Sequence, residues 1–136
     1  MKSIGVVITT DNQVKIKTFA DPLWETLGKA VDGYIECTFP DPARMSNGRY
    51  YMIVNEEGLL KGLPVNLYGC YLYGTDQHGN PIVGNVVIMK PGFRDGVPDI
   101  VGLTDVEAFT ICRNARTALE HLQNIMSKEA PNDSKA

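Results

Sequence analysis

Between Tyr50 and Val54 the chain runs Tyr-Tyr-Met-Ile-Val and then breaks at once into Asn55-Glu56-Glu57-Gly58. An aromatic and β-branched run of this length reads as a buried strand, and the polar, glycine-ended tetrapeptide after it as an acidic turn delivered to the surface. Leu59, Leu60, Gly62, Leu63 and Pro64 then return to apolar chemistry with breakers among them, so the chain must fold back against the strand it has just left. The rest of the fold has to be built around that strand.

The flanking segments supply the partners. Ile4 to Thr9 and Val14 to Phe19 are β-branched runs joined by Thr10-Asp11-Asn12-Gln13, which predicts a hairpin whose second strand keeps Lys15 and Lys17 wet. Asp21-Pro22 reads as a helix N-cap followed by proline at the first helical position, with Leu23, Trp24, Leu27, Ala30 and Val31 at helical spacing and Gly33 as the stop. Tyr34 to Phe39 is a third strand and Pro40 to Gly48 a loop. Leu67 to Tyr73 is read as a short helix capped by Asn66, followed by a polar turn at Thr75 to Pro81. Ile82 to Met89 is read as one strand interrupted by Gly84, a glycine that marks a bulge or a close approach. Pro91 to Gly102, rich in glycine and proline, is read as a long mobile connection.

Thr104-Asp105-Val106-Glu107 is a capping box opening the final helix, along which Ala108, Cys112, Ala115, Leu119, Leu122 and Met126 form one stripe. The expected fold is α+β: a single domain over residues 1–129, with a mostly antiparallel sheet of about five strands packed against the long C-terminal helix and a shorter helix, and a disordered tail at 130–136. The end of the stripe suggests a homodimer through the C-terminal helix.

A formal net charge of −3 argues against a non-specific grip on nucleic acid. No apolar run reaches the length that spans a bilayer, and the N-terminus lacks a signal peptide's core, so no membrane association and a cytoplasmic location are expected. The three cysteines, Cys37, Cys70 and Cys112, sit in apolar surroundings and read as small buried hydrophobes. Neither His78 nor His121 has a spaced partner, so no metal, cofactor or nucleophilic pair is expected. No phosphate-binding glycine motif occurs.

What remains is a polar and aromatic cluster. Asn55, Glu56, Glu57, Lys61 and Asn66, with Tyr50, Tyr68 and Tyr71, are the candidate ligand-binding residues: carboxylates and amides to accept from a ribose or base, Lys61 to meet a phosphate, tyrosines to stack. The competing reading gives Asn55 and Gly58 the shaping of a turn, leaves Glu57 solvated and makes the tyrosines partly buried. Glu56 and Glu57 are adjacent, so they point apart and do not form an acid–base pair. Asp76 joins them as an oxygen ligand only in an order no cation site is known to use.

Val31 to Glu36, Met52 to Asn66 with its Asn-Glu-Glu-Gly and Gly-Leu-Pro-Val-Asn segments, Ile82 to Ile88 and Leu103 to Asp105 together resemble the DUF3846 family. That resemblance implies a setting in phages, plasmids and other mobile elements, and no catalytic residues. The function expected is a non-enzymatic accessory protein, a counter-defence factor that binds and sequesters a nucleotide-derived signal. The alternative is a protein–protein inhibitor of a host defence enzyme or receptor, mimicking an acidic ligand through Glu56, Glu57, Asp95 and Asp99; an uncharacterised hydrolase comes third.

Overall fold

The computed structural model of the chain describes residues 2–45 and 50–129; the expected tail, the end of the Pro40–Gly48 loop and Arg49 lie outside the described residues. The first hairpin forms as its alternation dictates. β1 (Lys2–Ile8) pairs antiparallel with β2 (Val14–Ala20), in register from Lys2↔Ala20 to Ile8↔Val14. Then come α1 (Leu23–Val31), β3 (Ile35–Thr38), β4 (Tyr51–Asn55), α2 (Leu67–Tyr73), the single turn α3 (Thr75–His78), β5 (Val86–Arg94), β6 (Val97–Val101) and the long α4 (Asp105–Glu129). The strand order is β2-β1-β5-β4-β3, with β6 on the later half of β5, and all these pairings are antiparallel.

Among the described residues there are therefore six strands where about five were expected, and the extra one comes from the Pro91–Gly102 segment. It is a hairpin, not a long mobile connection. Asp95 and Gly96 take φ of 52° and 77° between the paired residues Arg94 and Val97. Two left-handed residues in a row match the right-handed twist of the flanking strands. Gly92 leaves room for the opposite strand: an added Cβ would stand 2.6 Å from the Val101 Cγ2.

Ile82–Met89 is not one strand either. The ladder begins at Val86, while Val83 makes an isolated bridge to Val65. Between them Gly84 turns the chain at φ 78°, and its N–H donates to the Pro64 carbonyl at 2.7 Å. The glycine thus marks the approach of another backbone, one of the two roles expected of it.

Both faces of the sheet are covered, which is why its central strands read as continuous apolar runs. On one face Val6, Ile8, Met52, Val54, Val86 and Ile88 pack with Tyr68 and Leu72 of α2 and with Ala108, Ile111, Cys112, Ala115 and Leu119 of α4. On the other, Val7, Ile53, Val87 and Met89 meet Phe19 and α1 residues Leu23, Leu27 and Val31. Each fully buried aliphatic or Phe side chain of this kind contributes about 1.5–3 kcal/mol relative to exposure.

Three expectations shift with this arrangement. The face of α1 laid on the sheet is Leu23, Leu27 and Val31, and Trp24, one position round the helix, is 70% exposed. Pro22 occupies the N-cap position of α1 and, as a proline, has no side-chain acceptor to offer; the carboxylate of Asp21, the expected cap, accepts instead from Arg94 Nη1 at 3.1 Å. Cys112 is buried and Cys70 half-buried, but Cys37 is exposed on β3 at the sheet edge. The α4 stripe is buried through Leu119; Leu122 is half-buried and Met126 is exposed.

Candidate functional site

The acidic turn is fixed from its first residue. Asn55 is buried, its Nδ2 donates to the carbonyls of Val31 and Asp32 at 3.0 Å each, and its Oδ1 accepts the Glu57 N–H at 2.7 Å. The side chain thus clamps the last turn of α1 to the end of β4, caps carbonyls that a helix terminus leaves unpaired, and shapes the turn. Lys61 Nζ donates to the same Asp32 carbonyl at 3.1 Å, placing a cation at the negative end of α1. Gly33 is required by this crowding: an added Cβ would lie 2.7 Å from Asn55 Nδ2 and 2.8 Å from Lys61 Nζ. Glu56 and Glu57 are exposed.

The other expected residues lie elsewhere. Asn66 is fully buried; its Nδ2 donates to the carbonyls of Ile8 and Gly84 at 3.0 and 2.9 Å, and its Oδ1 caps α2 by accepting the Gly69 N–H at 2.9 Å. Tyr68 is buried in the core, stacked on Tyr71 with centroids 5.8 Å apart, and burial pushes its phenol up to about 12. The Arg44 guanidinium lies 4.6 Å over the Tyr71 ring while donating to the Tyr71 carbonyl and to both Asp76 oxygens, at 2.6 and 2.7 Å. That pairing lowers the Asp76 carboxyl and occupies both of its oxygens. Tyr50, before β4, points its hydroxyl at Glu107 Oε2, 3.4 Å away, and desolvation, then the Glu107 charge, raises its pKa.

Two grooves meet at the turn. The first, about 420 Å³, runs between β3 and the end of α2 and is lined by Glu36, Thr38, Val54, Glu56, Glu57 and Tyr73 among others, including Asn55. The second, about 430 Å³, lies beside α1 and is lined by Trp24, Glu25, Lys29, Asp32, Tyr34, Glu57 and Lys61, with the two glycines, Gly28 and Gly33, in its wall. Asn55, Glu56 and Glu57 thus border the first groove, and Glu57 and Lys61 the second. Tyr50, Asn66, Tyr68 and Tyr71 border neither.

Trp24, Lys29 and Tyr34 are the residues sequence reasoning missed. Trp24 and Tyr34 are 70% and 74% exposed, and they join Lys29 and Lys61 around one cleft. The available signal was the position of Trp24 beside, not on, the four-residue repeat of Leu23, Leu27 and Val31. A flat aromatic surface next to ammonium groups can stack a planar ring and meet an anion.

Catalytic groupings are sparse. Among the described residues no three His, Cys, Asp or Glu side chains come together to hold a metal ion. The Cys37 thiol pKa is raised, by desolvation of the sulfur first and then by the Glu36 and Asp99 carboxylates, so it lacks the activation of a nucleophilic cysteine. Among the described residues no helix is long and apolar enough to cross a membrane.

Comparison with known proteins gives a family and a fold. The sequence matches the profile of the domain of unknown function DUF3846 over residues 1–123. No curated protein matches it. Among solved structures, one described as the crystal structure of small RNA methyltransferase HEN1 superposes with a TM-score of 0.56 at 12% identity, covering 82% of this chain and 16% of that one. At that identity the likeness is one of fold alone, to a small part of a much longer chain.

Proposed function

The chain belongs to the DUF3846 family, and from that premise we propose that it acts by binding and not by catalysis: a phage or mobile-element accessory protein that sequesters a nucleotide-derived small molecule in the cytoplasm of its host, in the manner of a counter-defence factor. The observation that carries this reading is the cleft where exposed Trp24 and Tyr34 gather with Lys29 and Lys61. Stacking of a base on an aromatic side chain contributes about 1–3 kcal/mol. Lys61 uses one of its donors on Asp32 and keeps others for a phosphate. Glu57 and Asp32, lining the same cleft, suit ribose hydroxyls.

The ligand roles first given to Asn55 and Asn66 pass to these neighbours, because both amides are engaged by backbone. Native mass spectrometry of protein purified from cells containing cyclic and ADP-ribose-type nucleotides tests the proposal. A stoichiometric adduct of a few hundred daltons, lost in Trp24→Ala, is the expected result; a bare mass throughout contradicts it. The same spectra report subunit count, and the exposure of Ile125 and Met126 on α4 supports a homodimer that Met126→Glu would dissociate.

A further inference from the structure

The two ends of the β2-β1-β5-β4-β3 order are built differently. β2, at one end, carries Lys15 and Lys17 as exposed residues, and its first carbonyl, Val14, already accepts Arg116 Nη2 at 2.7 Å. Lysines along an edge deter a further strand. β3, at the other end, holds neither lysine nor proline, and among the described residues no strand lies beyond it.

The register says which groups are free there. The Glu56 N–H donates to the Tyr34 carbonyl at 2.9 Å, so the opposed pair 34/56 is a hydrogen-bonded one. Alternation then makes Glu36 and Thr38 face β4 with their main-chain groups, and turns the N–H and C=O of Ile35 and Cys37 outward. The side chains alternate too: Glu36 and Thr38 share the face of Val54 and line the groove of about 420 Å³ together with Glu56, Glu57 and Tyr73. An added strand would lay every second side chain over that groove, whose charged groups are the three carboxylates of Glu36, Glu56 and Glu57, with Val54 and Ile82 among its apolar walls.

We infer that the outer edge of β3 and the adjoining acidic groove form a docking surface for an extended, basic peptide segment of a partner protein, taken up as a seventh strand. Main-chain bonds to Ile35 and Cys37 hold the segment, and lysine or arginine side chains on alternate positions meet Glu36, Glu56 and Glu57. Charge decides against a second copy as the occupant, since two-fold pairing of β3 with β3 would bring like carboxylates together in a chain of net charge −3. This surface and the α1 cleft share Glu57 at the turn, but Glu36, Cys37 and Glu56, the residues its test replaces, do not line that cleft.

The test uses the full chain and two end-blocked octapeptides, (Lys-Thr)₄ and (Glu-Thr)₄, read by backbone amide exchange and NMR titration. The inference expects (Lys-Thr)₄ to slow exchange at the Ile35 and Cys37 amides at least tenfold. It expects Glu36→Lys/Glu56→Lys to weaken that binding at least tenfold, with the dispersed amide spectrum retained. Cys37→Pro, which removes an outward N–H and leaves the β4 ladder intact, should abolish it. If Cys37→Pro fails to fold, the charge-reversed double variant and the two amides still decide. Absence of protection at Ile35 and Cys37, equal binding of (Glu-Thr)₄, or protein-concentration-dependent protection without peptide, the mark of a second copy, overturns it.

Discussion

Replacing Asn66 by alanine separates a structural amide from a ligand-binding one. The side chain is fully buried and makes three hydrogen bonds, two to the carbonyls of Ile8 and Gly84 and one from the Gly69 N–H. These join the end of β1, the Gly84 turn and the start of α2, three segments distant in sequence. Alanine leaves each partner without that bond inside the core, at a cost of about 1 kcal/mol or more apiece, and also removes a helix cap. The sum is about 3–5 kcal/mol, a large part of the roughly 5–15 kcal/mol that holds a domain of this kind folded. With a urea m-value of about 2 kcal/mol/M the denaturation midpoint should fall by about 1.5–2.5 M at unchanged slope. Asn66→Asp, which keeps the volume but aims a carboxylate at two carbonyls, should be no better. The reasoning fails if Asn66→Ala costs under about 1 kcal/mol; a stable variant with lost binding would return Asn66 to the ligand site.

Tyr68→Phe should flatten the alkaline limb of the stability profile. With the folded phenol near 12 and the unfolded one near 10, only the unfolded state loses its proton between those values, so the stability tied to Tyr68 is full below pH 10 and falls by about 1.4 kcal/mol per unit to pH 12; equal limbs in urea titrations of the two proteins would contradict this. For Glu107, burial favours the neutral acid, but the Lys90 hydrogen bond, the Thr104 N–H and the Lys90 charge outweigh it and lower the pKa. Its stabilisation is therefore present above the unfolded carboxyl's pKa and lost as pH drops through the folded value, and Glu107→Gln should show a shallower acid transition by circular dichroism. Gly33→Ala should cost about 1–3 kcal/mol in thermal or urea unfolding, since the triply bonded Asn55 cannot yield to the added methyl; an unchanged midpoint would refute the close packing at the end of α1.

What was legible in the sequence was local. The Thr104–Glu107 capping box closes with Thr104 N–H to Glu107 Oε1 at 2.8 Å and Glu107 N–H to Thr104 Oγ1 at 3.1 Å, and Asn66 caps α2, because each motif is complete within four residues. The β5–β6 hairpin was also written locally, in Asp95-Gly96, but Pro91 and Pro98 argued for a loop. The structure places them at ladder positions opposite Ile100 and Phe93. The cleft was not legible, because Trp24 and Lys29 come from α1, Tyr34 from the segment after it, and Glu57 and Lys61 from the turn beyond β4. Long-range bonds bring the three together: Asn55 reaches across 24 positions to Val31, Lys61 donates to Asp32, and the Glu56 N–H donates to Tyr34. Asn55 had been weighed both as a ligand residue and as a turn former; its partners fit the second description.

Trp24 is the single tryptophan of the chain and lines the proposed cleft, so its fluorescence reports on binding there, and the Tyr34 and Lys61 variants tie any change to that cleft and not to the neighbouring groove on the Asp21 side of Trp24. Titrating the protein with cyclic dinucleotides and ADP-ribose-type nucleotides is the most direct test of a nucleotide-sequestering protein. The account predicts saturable quenching by at least one of them, weakened tenfold or more in both Tyr34→Ala and Lys61→Ala while their unfolding midpoints stay near wild type. Emission that none of these nucleotides changes, or quenching that both variants retain in full, would contradict it.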